Sequence, residues 1–210
     1  MKFLSALTLS LLIASPACAA DTRPVIVAFG DSLTAGYGAD PGRSYPDNLQ
    51  RDLDKRGYVY HVENLGISGE TTADGLARVG AVIDRKPHIV ILEFGGNDGL
   101  RGIPPSAAQA NLDRIMARLT AAHIRILLAG ITLPPNYGQD YIRRFQSMYH
   151  DLGVKYHVPV IPFLLAGVFE HHLFQMDGIH PTAEGYILVA ETVMRYLEPM
   201  LGATAKPKKG

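Results

Sequence analysis

The sequence has little cysteine and no excess of charge of either sign. Its single cysteine, Cys18, has no partner for an intrachain disulfide, so the stability of the fold must come from a hydrophobic core. The 20 basic residues balance the 20 acidic ones, and the formal net charge is zero. A chain without a field of one sign does not attract nucleic acid or anionic lipid, so neither is expected as a partner.

A long hydrophobic run is also missing. The apolar stretch Phe3–Ile13 is too short for a stable membrane span, which needs about 20 apolar residues. Lys2 before this stretch and the small residues 17–19 after it are typical of a secretory signal peptide. We therefore predict a signal peptide over residues 1–20 and export to the periplasm or the medium. A lipid anchor at Cys18 is the alternative.

Short apolar runs alternate with helical patterns along the rest of the chain. Four of the five runs are rich in Val, Ile, Leu or Phe, which is typical of strands buried on both faces of a parallel sheet. The predicted strands are Val25–Phe29, Tyr58–Val62, His88–Phe94, Arg125–Ala129 and Val158–Ile161. Helical patterns follow at about Ser44–Gly57, Thr72–Asp84, Ser106–Ala122, Asp140–Tyr156 and Thr182–Met200.

This alternation predicts one α/β domain over residues 21–202, a three-layer sandwich with right-handed crossovers. Residues 203–210 are rich in Lys, Pro and Gly, and we expect them to form a disordered tail. Ligands of such sheets bind beyond the carboxyl ends of the strands. The residues that follow each predicted strand are therefore the candidates for a functional site.

Three predicted strands are followed by residues that suit acyl-transfer chemistry. Ser32 follows the first strand within Gly30–Gly36, and a serine hydroxyl becomes a nucleophile once a base takes its proton. Gly69 follows the second strand and allows a close backbone approach to a ligand. Asn97 follows the third strand and can donate its amide N–H to an oxyanion. Each of these residues, taken alone, also fits an ordinary turn.

Asp177 and His180 lie three residues apart, just before the last helical pattern. On a tight turn, Asp177 can accept the Nδ1–H of His180 and leave Nε2 free to take the serine proton. A capping aspartate beside a surface histidine is the alternative explanation of this pair. The order of the four motifs along the chain favours a Ser-His-Asp hydrolase.

These motifs resemble the sequence blocks of the GDSL/SGNH hydrolases. Gly30–Leu33 (GDSL) resembles block I, Gly69 and Asn97 fall at blocks II and III, and Asp177–His180 matches the D-x-x-H of block V. The resemblance extends over about residues 24–197. It implies a flavodoxin-like sheet with strand order 2-1-3-4-5. It also implies an oxyanion hole formed by the N–H groups of Ser32 and Gly69 and the side chain of Asn97.

Two longer strings, GGNDGLRG and LPPNYG, resemble the branch with bacterial arylesterases and multifunctional acyl-CoA thioesterase I/lysophospholipases. This branch implies hydrolysis of aryl or acyl esters and thioesters with relaxed specificity, through an acyl-enzyme on Ser32. No cofactor is implied, and no metal is expected, because the histidines lack the spacing of zinc ligands. We expect a monomer.

Apolar residues in the predicted loops suit an acyl chain or an aryl ester, although each of them also fits a residue that packs its loop. These substrate-binding candidates are Leu100, Ile103, Pro134, Pro135, Tyr137 and Ile179. The roles of Asp31 and Asp98 stay open between holding the catalytic loops and accepting hydrogen bonds from neighbouring backbone N–H groups.

Two other functions are compatible with parts of the pattern. An acyltransferase or a carbohydrate deacetylase would use the same triad but would need an acceptor or sugar site. A non-catalytic, flavodoxin-like ligand-binding protein would need a phosphate loop after the first strand. The segment Gly30–Gly38 has neither the G-x-G-x-x-G spacing nor the Lys-Ser/Thr of a P-loop, which disfavours this second function.

Overall fold

The computed structural model describes residues 22–202, so the predicted signal peptide (1–20) and tail (203–210) lie outside the described residues. Five parallel strands form one sheet with the order β2-β1-β3-β4-β5, which confirms the order implied by the resemblance. They are β1 (Val25–Gly30), β2 (His61–Asn64), β3 (Ile89–Glu93), β4 (Arg125–Ala129) and β5 (Val160–Ile161).

Eight helices surround the sheet within residues 22–202. They are α1 (Ser32–Ala35), α2 (Tyr45–Lys55), α3 (Thr72–Ile83), α4 (Gly96–Leu100), α5 (Pro105–Ala121), α6 (Gln139–Tyr156), α7 (Ala166–Glu170) and α8 (Ala183–Leu197). Two 3₁₀ turns, Pro135–Tyr137 and Glu198–Met200, complete the described structure. None of these helices is both long enough and apolar enough to cross a membrane.

The helices cover both faces of the sheet and create two hydrophobic cores. On one face α2 packs against α8, with Tyr45, Leu49 and Tyr186 fully buried among the side chains of β1 and β3. On the other face α3, α5 and α6 pack side by side, and Leu112 and Phe145 are fully buried there. The predicted three-layer sandwich is therefore confirmed.

The second strand lies about three residues later than predicted. The apolar residues Tyr58 and Tyr60 are buried, but they precede the ladder, which begins where His61 pairs with Val25 of β1. Tyr58 instead completes the end of α2, since its N–H bonds to the carbonyl of Leu53. Apolar character misled the prediction because β2 is an edge strand of largely polar, partly exposed residues.

Candidate active site

Ser32 begins α1 directly after the buried strand β1. Asp31 caps this short helix, because its Oδ1 accepts the N–H of Leu33 at 3.1 Å. Gly36 ends the helix in the left-handed region at φ 84°. A side chain at Gly30 would collide with Thr34, so the tight passage from strand to helix requires glycine at that position. The predicted sharp turn at Ser32 is thus a single helical turn with the serine at its start.

His180 lies between Ser32 and Asp177, as the sequence predicts. Its Nε2 is 2.9 Å from the Oγ of Ser32, and its Nδ1 is 2.7 Å from the Oδ2 of Asp177. Both distances are within ordinary hydrogen-bonding range. The structure therefore joins the three side chains in one continuous hydrogen-bonded chain from the carboxylate to the hydroxyl.

The segment that carries Asp177 and His180 is held together by its own polar groups. Oδ1 of Asp177 accepts the backbone N–H groups of Ile179 (2.9 Å) and His180 (3.0 Å). Burial alone would raise the pKa of Asp177, but the hydrogen bonds from His180 and Ile179 outweigh it and hold the pKa below its ordinary value. The carboxylate is therefore ionised throughout the neutral range.

A second anchor fastens this segment to the loop that follows α1. The amide of Gln175 donates to the carbonyl oxygens of Tyr37 (2.8 Å) and Pro181 (2.9 Å). The ring of Tyr37 lies against the ring of His180, with 4.5 Å between the centroids. These contacts fix the position of the imidazole relative to Ser32. Neither Tyr37 nor Gln175 was singled out by the sequence, which offers no spacing signal for them.

Gly69 lies on the loop that follows β2, and Asn97 lies in α4, which follows β3; these two strands flank β1. Gly69 has φ 85°, a conformation that favours glycine. Within residues 22–202, the backbone N–H groups of Ser32 and Gly69 donate no hydrogen bond. The Nδ2 of Asn97 donates to Oδ2 of Asp31 (3.0 Å) and to the carbonyl oxygen of Glu70 (2.9 Å). The Asn97 amide therefore bridges the loops that follow β1 and β2.

Asp98 fastens the beginning of α3 to α4. It is buried, and its carboxylate accepts the N–H of Thr72 at 2.8 Å and the hydroxyl of Thr72 at 2.6 Å. Asn111 of α5 also donates to this hydroxyl. Asp98 thus both accepts a backbone N–H and holds a loop of the site, which resolves the role left open by the sequence.

Two further residues of the site were missed at the level of sequence. Arg78 of α3 donates to the carbonyl of Gly30 at 3.1 Å and is paired with Glu70 at 2.6 Å. Glu93 ends β3 and is fully buried beside Asp31. Glu93 is the one acidic residue in the apolar run Ile89–Glu93, and that pattern could have identified it as a buried acid. The contacts of Arg78 depend on the tertiary fold and leave no such pattern in the sequence.

The carboxyl groups of Asp31 and Glu93 influence each other because both are buried. Burial raises the pKa of Asp31 to about 6, against the lowering effect of hydrogen bonds from Leu33, Glu93 and Asn97. Burial and the negative charge of Asp31 raise the pKa of Glu93 well above its ordinary value. Both pKa values are raised because charge is costly in a buried pair, where the ionisation of one carboxyl group opposes that of the other.

The predicted substrate-binding residues come from loops that the structure ties together. The hydroxyl of Tyr137 donates to the carbonyl of Leu100 at 2.9 Å, and that of Tyr141 donates to Ile103 at 2.7 Å. Pro134 and Pro135 are exposed, and Ile179 is partly exposed beside His180. The hydroxyl of Tyr137 therefore ties the loop after β4 to α4, and the assignment of the six residues to substrate binding stays a prediction.

Other exposed apolar side chains lie on the segments that carry or adjoin the triad residues, and these were missed. Tyr37 and Ile67 are each about half exposed, and Met176 is fully exposed. Ile67 lies beside the serine turn, because its N–H bonds to the carbonyl of Gly30 at 3.1 Å. We call Tyr37, Ile67, Met176 and Ile179 the apolar rim.

Among the described residues, no group of three or more His, Cys, Asp or Glu side chains is arranged to hold a metal ion.

Comparison with known proteins gives consistent results. The model of the GDSL-like lipase/acylhydrolase family matches residues 28–188. Esterase TesA of Pseudomonas aeruginosa is 40% identical over 195 residues, which cover 92% of this chain and 96% of that protein. Thioesterase 1/protease 1/lysophospholipase L1 of Escherichia coli K12 is 37% identical over 187 residues, which cover 88% and 87%.

A solved structure shows the same arrangement of the chain. AlinE4, described as an SGNH-hydrolase family esterase, is 43% identical and superposes with a TM-score of 0.72. The superposition covers 86% of this chain and 98% of that one. The similarity therefore extends over nearly the whole described structure and is not confined to the motifs.

The turn at Asp177 gives a direct test of the site geometry. Asp177→Ala removes the acceptor of two backbone N–H groups, so the amide hydrogens of Ile179 and His180 should exchange about tenfold faster. Asp177→Asn keeps an oxygen that can accept both hydrogens and serves as the matched control. Hydrogen exchange followed by NMR measures both variants. Equal exchange in Asp177→Ala and the wild type would contradict the described turn.

Proposed function

The chain belongs to the GDSL-like lipase/acylhydrolase family and is an ester hydrolase, and we propose that it transfers the acyl group of its substrate to Ser32 and then to water. The observation that carries this mechanism is the hydrogen-bonded chain from Asp177 through His180 to Ser32, with distances of 2.7 and 2.9 Å. A serine becomes nucleophilic only when a base is within reach of its proton, and His180 meets that condition.

The reaction proceeds in two similar halves. As the Oγ of Ser32 attacks the ester carbonyl, Nε2 of His180 takes the serine proton and then gives it to the leaving alcohol or thiol. Water next attacks the acyl-enzyme, His180 takes a proton from that water, and the proton returns to Ser32 as the acid departs. Asp177 holds the imidazole in the required tautomer and offsets the positive charge that forms on it.

The oxyanion formed in each half needs hydrogen-bond donors. The N–H groups of Ser32 and Gly69 are unused within the described structure, and the Nδ2 of Asn97 is held close by Asp31 and Glu70. With one amide hydrogen anchored on Asp31, the other can be shared between the Glu70 carbonyl and the oxyanion. Loss of one such donor typically lowers kcat about 10²–10³-fold.

The apolar rim favours substrates with an apolar acyl or aryl group. Its side chains are exposed to solvent, whereas the apolar side chains of the two cores are buried on the faces of the sheet. An acyl chain lying on them would remove apolar surface from water, which contributes roughly 25 cal/mol per Å². Thioesters belong to the same substrate class, since a thiol leaves by the same route as an alcohol.

Ser32→Ala tests the nucleophile. Hydrolysis of p-nitrophenyl esters from acetyl to palmitoyl should lose a factor of about 10⁴–10⁶ in kcat, as expected when a triad nucleophile is removed. Ser106→Ala, an exposed serine of α5, is the matched control and should retain full activity. Equal activity of Ser32→Ala and the wild type would show that another residue is the nucleophile.

Ile67→Ser tests the apolar rim. The variant should lose about tenfold in kcat/KM on long-chain esters, because less apolar surface is buried with the substrate, and should hardly change on acetyl esters. Val154→Ser is the control, since Val154 is similarly exposed near the C-terminal end of α6, at the opposite edge of the sheet. A uniform loss over all chain lengths would contradict the assignment of Ile67 to acyl binding.

We also propose that the protein is exported. The apolar stretch Phe3–Ile13 and the small residues 17–19 support a cleaved signal peptide. Expressed in a Gram-negative bacterium, the protein should be recovered from the periplasm or the medium with an N-terminus after Ala19 or Ala20. N-terminal sequencing and intact mass measure this, and a lipid-modified Cys18 or an intact Met1 would contradict it.

A further inference from the structure

The carboxyl groups of Asp31 and Glu93 adjoin each other beneath the nucleophile, and the proposed reaction uses neither of them. Asp31 precedes Ser32 and is 2% exposed, and Glu93 is 0% exposed. The two residues meet because Gly30 at the end of β1 pairs in register with Glu93 at the end of β3. Two buried carboxyl groups that adjoin each other require an explanation of which of them carries a proton.

The hydrogen bonds of Glu93 indicate where a proton lies. Its Oε2 accepts the N–H of Asp31 at 3.2 Å and the hydroxyl of Thr34 at 2.8 Å. Its Oε1 is buried and receives no hydrogen bond within residues 22–202. No lysine or arginine in that range forms an ion pair with Glu93. An ionised Glu93 would be an unpaired buried charge, which is very costly, whereas a protonated carboxyl group is neutral.

The hydrogen bonds of Asp31 indicate the opposite state. Its Oδ1 accepts the N–H of Leu33 at 3.1 Å, and its Oδ2 accepts the amide of Asn97 at 3.0 Å. A protonated Glu93 adds a third donor, through a hydrogen bond between the two carboxyl groups. Donors to the charged form favour ionisation, so Asp31 is the member of the pair that keeps the negative charge.

We propose that Asp31 and Glu93 share a single proton, which Glu93 carries and donates to the Asp31 carboxylate, and that this pair positions the Asn97 amide. The first half of this proposal concerns the resting protein alone. The second half rests on the proposed function, because it gives Asn97 the task of binding the oxyanion. Asp31 and Glu93 are thus positioning residues that act through Asn97.

Neutral tyrosine side chains pack around the carboxyl pair. Tyr45 of α2, Tyr149 of α6 and Tyr186 of α8 face it, and burial raises the pKa of each, so their hydroxyl groups stay neutral. Two further ionisable side chains, Arg78 and the buried Asp98, lie nearby. Arg78 bonds to the carbonyl of Gly30, and Asp98 bonds to Thr72.

His180 lies on the solvent side of the carboxyl pair. When it becomes protonated during the reaction, the single charge on Asp31 attracts it. A second anion at Glu93 would repel the charge on Asp31 and could no longer donate a hydrogen bond to it. With a shared proton the pair carries a single negative charge, located on Asp31, which anchors the amide of Asn97.

Infrared spectroscopy of the whole resting protein tests the shared proton. At about pH 8 exposed carboxyl groups are ionised, so the wild type should show the carbonyl band of one buried carboxylic acid. The band should vanish in Glu93→Gln and persist in Asp31→Asn. Asp98→Asn, which changes another buried carboxylate, is the control and should retain the band. Absence of the band in the wild type, or its persistence in Glu93→Gln, would overturn the proposal.

Kinetics test the positioning role. Glutamine can mimic a neutral glutamic acid and can still donate an N–H to Asp31, so Glu93→Gln should lose much less kcat than Asp31→Asn. Asp31→Asn removes the anion that anchors Asn97, and kcat should fall about 10–10²-fold with KM little changed. A fall of KM and kcat together in Asp31→Asn, or a large loss in Glu93→Gln with its fold intact by circular dichroism, would contradict this role.

The pH profile separates the proposal from a purely structural role. If Glu93 is neutral, Glu93→Gln removes no charge. The fall of kcat on the acid side of the pH profile should then occur at the same pH as in the wild type. If Glu93 is ionised, its removal should move that fall to lower pH, which would overturn the proposal. The infrared band needs no substrate, so an inactive wild type contradicts the proposed function alone, and a missing band in an active enzyme contradicts the shared proton alone.

Discussion

The parallel pairing of β1 between β2 and β3 is the constraint on which the site depends. Parallel strands bring their carboxyl ends to one edge of the sheet, and the order β2-β1-β3 places the serine strand in the middle. Ser32 therefore emerges between the segments that carry Gly69 and Asn97. These residues are far apart in sequence, but each follows one of three neighbouring strands, which are spaced about 4.8 Å apart in a sheet.

Polar bonds between the loops convert this proximity into a fixed geometry. Asn97 bridges Asp31 and Glu70, Arg78 joins the end of β1 to Glu70, and Asp98 holds the start of α3. The bonds of Asn97 and Asp98 join segments that follow different strands, and the bond from Arg78 to Gly30 joins α3 to the end of β1. The apolar rim has no such bonds between its side chains. The site thus combines rigid polar groups around Ser32 with exposed apolar groups where an acyl chain would lie.

Much of this arrangement was predictable, and the exceptions have physical causes. Strands buried on both faces, such as β3 and β4, show themselves as apolar runs, and Ser32 and Asn97 were found because they follow such runs. The strand order came from the resemblance to a family. The edge strand β2 was misplaced because its residues are polar while Tyr58 and Tyr60 are buried outside it. Exposed residues such as Met176 carry no pattern, since only the fold brings them to the site.

The turn that contains Asp177 and His180 holds the acid and the base in a fixed position relative to each other. Because Oδ1 of Asp177 binds the backbone N–H of His180 while Oδ2 binds its ring, a displacement of the segment carries both side chains together. The remaining hydrogen bond of the relay, between Nε2 and Oγ, joins this segment to α1. The length of that bond therefore depends on how the segment is held against α1, and the bond from Gln175 to Tyr37 is one of the contacts that hold it.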